Sequence, residues 1–248
     1  MKKLSLALLA SVIFFASCDK KTTVPSNNNN ATANNTPSPS FTSGDGFLVA
    51  IRTVTNTTVA GFPVNTEFGT GVAGFGDLAA GTYNDAGAVT LNGKTLTKNA
   101  NNSYTFIPTA TDPLGLDFGS AIDWTVGGGN GIPSFSYNAN IMGMPNTTDM
   151  NAFTTINSAN SFTLSTTGSI SNTDSVYFQI ADANGKLLLH RMAANTSSTT
   201  FTQADMQTLA KGTGSVVIAP WKLTTTTQGG KTIHVINEVA LSRVVDIQ

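Results

Sequence analysis

Thr232-Ile233-His234-Val235-Ile236-Asn237-Glu238-Val239-Ala240-Leu241-Ser242-Arg243-Val244-Val245-Asp246-Ile247 alternates along most of its length. Ile233, Val235, Val239, Leu241, Val245 and Ile247 fall on one face. His234, Glu238, Ser242 and Asp246 fall on the other. A period of two is the mark of a half-buried strand. A strand this long is expected to bend or break midway. Gln228-Gly229-Gly230 turns the chain into it. The preceding run, Val216–Leu223, places Val217, Ala219, Trp221 and Leu223 on one face, so Trp221 is expected in the core. Pro220 predicts an edge or a bulge there.

The pattern continues towards the N-terminus. Ser175–Ala181 puts Val176, Phe178 and Ile180 on one face, and Asn184-Gly185 turns it into a partner strand, Lys186–Met192. Ser161–Ser165 is also strand-like. Thr202 to Gly212 carries the one helix signal, placing a short helix near 203–211. Thr202 is the cap, Asp205 favours the positive helix end, Met206, Leu209 and Ala210 share a face, and Lys211-Gly212 closes it.

The first half is all strand and turn. Phe47–Ile51 is an apolar run. Asn92-Gly93 suits a two-residue turn, with Val89 opposite Leu96 and Thr90 opposite Thr95. Further short strands are predicted at Tyr104–Ile107, Leu116–Phe118, Ile122–Val126 and Ser134–Tyr137. Residues 138–151 show no periodicity and are read as a boundary. The expectation is an all-β chain with two sandwich-like domains, 45–142 and 150–248. In the number and order of its strands the second resembles an immunoglobulin or fibronectin type III sandwich, without the cysteine pair of true immunoglobulin domains. That resemblance implies architecture and no function.

Ahead of these lies a different kind of sequence. Lys2-Lys3 precedes the apolar run Leu4–Phe15, which is too short to span a bilayer as a helix. Ala16, Ser17 and Cys18 follow. This stretch resembles the bacterial lipoprotein signal, with Phe15 where leucine is usual. The resemblance implies removal of residues 1–17, lipidation of Cys18 and export to the cell envelope, with the membrane as a partner through the lipid. Each buried methylene of such chains adds about 0.8 kcal/mol to anchoring. Residues 18–44, rich in Asn, Thr, Ser and Pro, read as a disordered tether with an r.m.s. reach of about 30 Å. The Asn/Thr-rich style resembles Bacteroidota lipoproteins, which places the expected anchor in the outer membrane and leaves its facing open. In that setting Asp174-Ser175-Val176 fits a loose O-glycosylation pattern.

Composition narrows the function. Thirteen Lys/Arg less Lys2 and Lys3 leave eleven against fourteen Asp/Glu, a net charge of −3 after cleavage. That argues against nucleic acid, which needs a basic stripe. With Cys18 lipidated, no thiol remains for a disulfide, a metal or a nucleophile.

Most residues able to carry chemistry also have a commonplace structural role. Gly69-Thr70-Gly71-Val72-Ala73-Gly74 matches the dinucleotide pattern in letters, but Phe75-Gly76-Asp77 follows where a helix is required. His190 and His234 are the histidines present. His234 and Glu238 would lie about 13 Å apart on one strand face, too far to share a proton or a metal. Asp112, Asp117 and Asp123 fall in loops at spacings that match no compact calcium site. Trp124 and Tyr137 are the candidate ligand-binding residues, as aromatic faces on which a sugar could stack. No catalytic residue, metal site or cofactor is assigned. The reading is a non-enzymatic envelope lipoprotein, a structural, adhesive or binding module whose partner is an envelope protein or a glycan. The alternatives are a glycan-binding lipoprotein of a polysaccharide uptake system and, third, a carboxylate-dependent hydrolase.

Overall fold

The computed structural model describes residues 43–248. Cys18, the signal segment 1–17 and all but the end of the 18–44 tether lie outside the described residues. The chain is all-β. Its strands are β1 (Gly46–Val59), β2 (Phe62–Asp77), β3 (Thr82–Tyr83), β4 (Val89–Leu91), β5 (Lys94–Thr95), β6 (Thr97–Lys98), β7 (Tyr104–Phe106), β8 (Ala121–Val126), β9 (Phe135–Asn140), β10 (Thr155–Ile156), β11 (Phe162–Ser165), β12 (Ser175–Ala181), β13 (Leu187–Ala193), β14 (Ser198–Phe201), β15 (Gly212–Gln228) and β16 (Lys231–Ile247). A 3-10 turn spans Thr147–Ala152, and one helix, α1, spans Gln203–Met206.

One large sheet organises these elements, in the order β13-β12-β15-β16-β1-β2-β7-β6. Its centre joins the two ends of the folded chain. β1 runs parallel to β16, with Leu48 opposite Val235 and Val54 opposite Leu241. The expected domains 45–142 and 150–248 therefore share a sheet, and Phe41–Gln248 forms one compact unit. The parallel pair also departs from the antiparallel sandwich that the immunoglobulin-like comparison implied. β16 runs all 17 residues without the expected break. Its neighbours are equally long: β15 has 17 residues, β1 14 and β2 16. β1 and β15 flank it on either side, the β15 ladder being interrupted at Ala219-Pro220, so Pro220 falls in a central strand between β12 and β16 and not at the edge or bulge the sequence suggested.

Registers decide what each face does. On one face, Leu48, Ala50, Arg52, Val54 and Asn56 of β1 lie level with Val235, Asn237, Val239, Leu241 and Arg243 of β16. Two hydrophobic cores form on this face. The first holds Leu48, Phe75, Ile233 and Val235 of the large sheet against Leu91, Trp124 and other residues of the four-stranded sheet β5-β4-β8-β9. The second holds Val54, Phe178, Ile218 and Leu241 against Met150, Leu164, Phe201 and Met206. Those last four come from the 3-10 turn, the β11–β14 pair and α1.

Between the cores the same face is polar. Arg52 meets Glu67 through two hydrogen bonds, Nε to Oε1 at 2.6 Å and Nη2 to Oε2 at 2.8 Å. Beside it a cavity of about 10 Å³ is lined by Ala50, Arg52, Phe118, Ile122, Asn237 and Val239. That is room for about one water. Asn237 is buried, and its Oδ1 has no hydrogen-bond partner among the described residues.

The turns show why this sequence folds as it does. Gln228 pairs with Lys231 across Gly229 and Gly230, both at positive φ, as a two-residue hairpin demands. Val59 pairs with Phe62 across Ala60 and Gly61 in the same way, ending the long β1–β2 hairpin. Thr90 faces Thr95, and the Leu96 amide donates to the Val89 carbonyl at 2.9 Å, the register the sequence predicts. The β12–β13 turn is wider than the predicted two residues. Ala181 pairs with Leu187, and the Asp182 carboxylate accepts from the amides of Asn184, Lys186 and Ala210. The helix closes sooner than predicted. Thr202 and Asp205 form the expected capping box, but α1 ends at Met206, and Gly212 opens β15 rather than closing a helix.

Leu116–Phe118 is not a strand. Leu116 and Phe118 are buried in the first core beneath β2, where Gly69 makes an isolated bridge to Gly115.

Candidate binding face

The residues picked out by sequence are not brought together into a site. Trp124 is 1% exposed, with its ring in the first core and its backbone opposite Leu91 and Tyr137. Tyr137 packs on the same core, partly buried. Trp124 therefore offers no free face to a sugar, and Tyr137 stands half-buried beside it. The physical reason is the β8 alternation: Ile122, Trp124 and Val126 share the buried face, while Asp123 and Thr125 are exposed.

The other candidates also have local roles. His190 stacks on Phe201, with ring centroids 4.3 Å apart, and shares a hydrogen bond between Nδ1 and Thr199 Oγ1. His234 contacts Thr225 Oγ1 and the Ser43 carbonyl. Asp112 is held by Lys94, Asp117 accepts from the Gly119 amide, and Asp123 accepts from Asn138. Among the described residues no three His, Cys, Asp or Glu group as metal ligands would. Ser175 is 3% exposed and accepts a hydrogen bond from Arg191, so the folded chain closes it to glycosylation.

The glycine pattern at 69–74 lies inside β2, with strand on both sides and no helix. Its glycines serve packing: a Cβ on Gly69 would sit 2.1 Å from the Leu116 carbonyl oxygen.

The large sheet has a second face, opposite both cores. Val49, Ala219 and Ile236 are buried on it but belong to neither core. Here the structure places a group that sequence reasoning missed. Ser175, Trp221, Glu238 and Ile51 stand in one row across β12, β15, β16 and β1. Tyr177 stands one row along, opposite Arg191. The Tyr177 and Trp221 rings stack with centroids 5.8 Å apart and 17° between planes. The Arg191 guanidinium lies 5.4 Å from the Trp221 centroid, and its Nε donates to Ser175 Oγ at 3.0 Å. Cation–π contact and the serine hold the arginine over the indole. Trp221 is half-buried, Arg191 exposed and Tyr177 half-buried.

Glu238 adds a charge switch to this face. Although the residue is partly exposed, burial pushes its carboxyl up to about 7. Burial also raises the Tyr177 phenol; Arg191 lowers it and Glu238 raises it further. In the unfolded chain the Glu238 carboxyl titrates near 4.5. The folded state therefore holds this proton more tightly. Its stabilising contribution is complete below the unfolded value and is lost as pH rises towards 7. Melting temperature should fall over that window. Glu238→Gln should flatten the fall and leave the variant about 1–2 kcal/mol more stable than the parent at pH 8, allowing for partial exposure. Calorimetry from pH 4 to 8 reads this directly; parallel curves for parent and variant would refute it.

A second feature lies where the chain enters β1. An open cleft of about 380 Å³ is lined by Asp45, Asp77, Asn84, Asn130, Gly131 and Lys231. Lys231 Nζ is 3.0 Å from Asp45, and the Thr232 amide also donates to that carboxylate; these bonds hold its pKa below the usual range.

No family model matches the chain, and no curated protein matches it. A solved structure described as a tetra-tandem repeat in the extending region of a large adhesion protein is 15% identical, with a TM-score of 0.20. The match covers 79% of this chain and 49% of that one, so the chain spans about half the length of that structure. A likeness at that level establishes neither a shared fold nor a shared role.

Proposed function

We propose that this chain is a non-enzymatic module of the bacterial cell envelope, anchored through lipidated Cys18 in the outer membrane, with a structural or adhesive role. It binds an envelope or surface partner through the sheet face opposite its cores. The observation that carries this reading is the Arg191–Trp221–Tyr177 stack. An indole and an arginine held on the sheet face opposite the cores are the residue types that dominate protein recognition. The anchor and tether support display at a membrane, and they rest on the sequence alone.

A glycan-binding role in polysaccharide uptake is the second reading, and the open cleft favours it. Its carboxylates, amides and glycine backbone suit sugar hydroxyls. Trp124 has no part in it, because that indole is buried.

One experiment separates the two. Cells displaying the full chain are scored for adherence to envelope-coated surfaces and for retention of soluble polysaccharides. Under the first reading Trp221→Ala and Arg191→Ala each reduce adherence at least about tenfold, a hot-spot effect, and Asp77→Ala leaves it unchanged. Under the second, Asp77→Ala removes polysaccharide retention and the sheet-face variants do not. Adherence unchanged in Trp221→Ala would overturn the proposed binding face.

A further inference from the structure

Five large apolar side chains stand exposed around one strand edge: Val59, Phe62, Val64, Ile107 and Leu114. The edge is that of β2 beyond the point where β7 leaves it. β7 covers Gly71 to Ala73, and Gly69 is bridged to Gly115. From Phe62 to Phe68 the outer side of β2 has no strand partner among the described residues.

The direction of the free backbone groups follows from the register. Gly69 donates to the Leu114 carbonyl and accepts from the Leu116 amide, so both of its backbone groups point outward. Successive residues of a strand alternate in this respect. Glu67, Asn65 and Pro63 therefore also point outward. Val64 points inward, and its carbonyl accepts from Thr57. No hydrogen bond takes the amide or carbonyl of Asn65 or Glu67 on that side.

We propose that this edge pairs with the same edge of a second copy, antiparallel, about a two-fold axis at Asn65. The donors and acceptors match themselves except at Pro63, which has no amide to give. Asn65 exchanges both hydrogen bonds with Asn65 of the second copy. Each Glu67 amide meets the carbonyl of the opposing Pro63. Proline is the residue that blunts exposed edges. At Pro63 this register asks for an amide as well as a carbonyl, so the Glu67 carbonyl at each end of the ladder stays with water while the Asn65 pair and the two Glu67 amides bond.

Side chains agree. Phe62, 72% exposed, lies across from Phe68 of the second copy, beside that copy's Leu114. Val64 lies across from Thr66. Phe62, Val64, Thr66 and Phe68 share one face by alternation, so the pairing covers the apolar edge on both copies at once. Charge does not oppose it, because Glu67, the one ionisable residue between Phe62 and Phe68, is already neutralised by Arg52 at 2.6 Å.

The test uses full-length chain in intact cells. Asn65→Cys places two thiols on the axis, with Cα atoms about 5.5 Å apart, within reach of a disulfide. A short thiol cross-linker should give a reducible or linker-bound adduct of twice the chain mass. The parent, which carries only Cys18, and the exposed distant variant Thr163→Cys should not. Adding Val64→Lys or Phe62→Lys, both at exposed positions that leave the cores intact, should abolish the adduct. Folding of each variant is checked by protease resistance. No adduct from a folded Asn65→Cys chain, an adduct that survives Val64→Lys, or one that joins a different protein would each overturn the pairing of copies. The last of these would assign the edge to a foreign strand.

Discussion

Gly69→Val unfolds the first core, and Gly69→Ala already costs several kcal/mol, about 3 or more by the cost of overpacking a closed site. A Cβ at this position would lie 2.1 Å from the Leu116 carbonyl oxygen, 2.7 Å from Leu116 Cβ and 2.8 Å from the Phe118 ring. The first of these is backbone, held by the Leu116 amide bonding back to the Gly69 carbonyl. It cannot swing aside as a flexible side chain would. Relief requires β2 to separate from residues 114–118, which exposes Leu116 and Phe118. Gly61 is the control. It has open space around it and is constrained only by a φ of +87°. Gly61→Ala should cost about 1 kcal/mol, the ordinary penalty for a side chain in the left-handed region. Urea titration of the two variants decides the matter. Equal, small losses would mean that residues 114–118 do not pack beneath β2 as described.

The same glycines show where sequence stops being informative. β15, β16 and the β12–β13 pair were legible, because apolar alternation and a glycine turn occur together in each. β2 was not. Gly69 to Gly74 carried only a letter match to a dinucleotide loop, and packing against Leu116, Leu91 and Phe47 explains Gly69, Gly71 and Gly74 within a strand. The two halves looked like separate domains because nothing local announces that β1 pairs in parallel with β16, nearly 190 residues away. Long-range pairing leaves no mark in a window of ten residues.

The candidate site was misread for a related reason. β15 is apolar on both faces: Val216, Ile218 and Pro220 on one, Val217, Ala219 and Trp221 on the other. Alternation assigns partners to a face but cannot say which face meets the core. Neighbours decide. Val216 and Ile218 join the second core, which turns Trp221 to the open side. Asp123 and Thr125, which flank Trp124, gave no such choice either, yet β8 pairs with β4 so that the Trp124 ring meets the first core. The two tryptophans thus hold the reverse of the roles the local pattern suggested.

That reversal makes the second large prediction. Trp124→Ala should lower stability by about 3–5 kcal/mol, the range for emptying an aromatic from a closed core. Its ring touches the space over Gly71, where the nearest indole carbon stands 3.6 Å from an added Cβ. Small neighbours such as Gly71 and Ala73 have no bulk with which to refill the void. Trp124→Phe should cost less than half as much. It keeps most of the ring and also removes a buried indole N–H that has no hydrogen-bond partner, a group whose desolvation alone costs about 1–3 kcal/mol. Trp221→Ala should behave differently, losing adherence while lowering stability by no more than about 2 kcal/mol, because half-buried rings lose less on truncation. Fluorescence separates the pair before any titration. In Trp221→Phe the remaining emission comes from Trp124 and should be blue-shifted and insensitive to aqueous quenchers; in Trp124→Phe the emission of the half-buried Trp221 should lie further to the red and be quenched more than that of Trp124. The opposite pattern would return Trp221 to the core and remove the binding face with it, since the Arg191–Trp221–Tyr177 stack is the group on which that face rests.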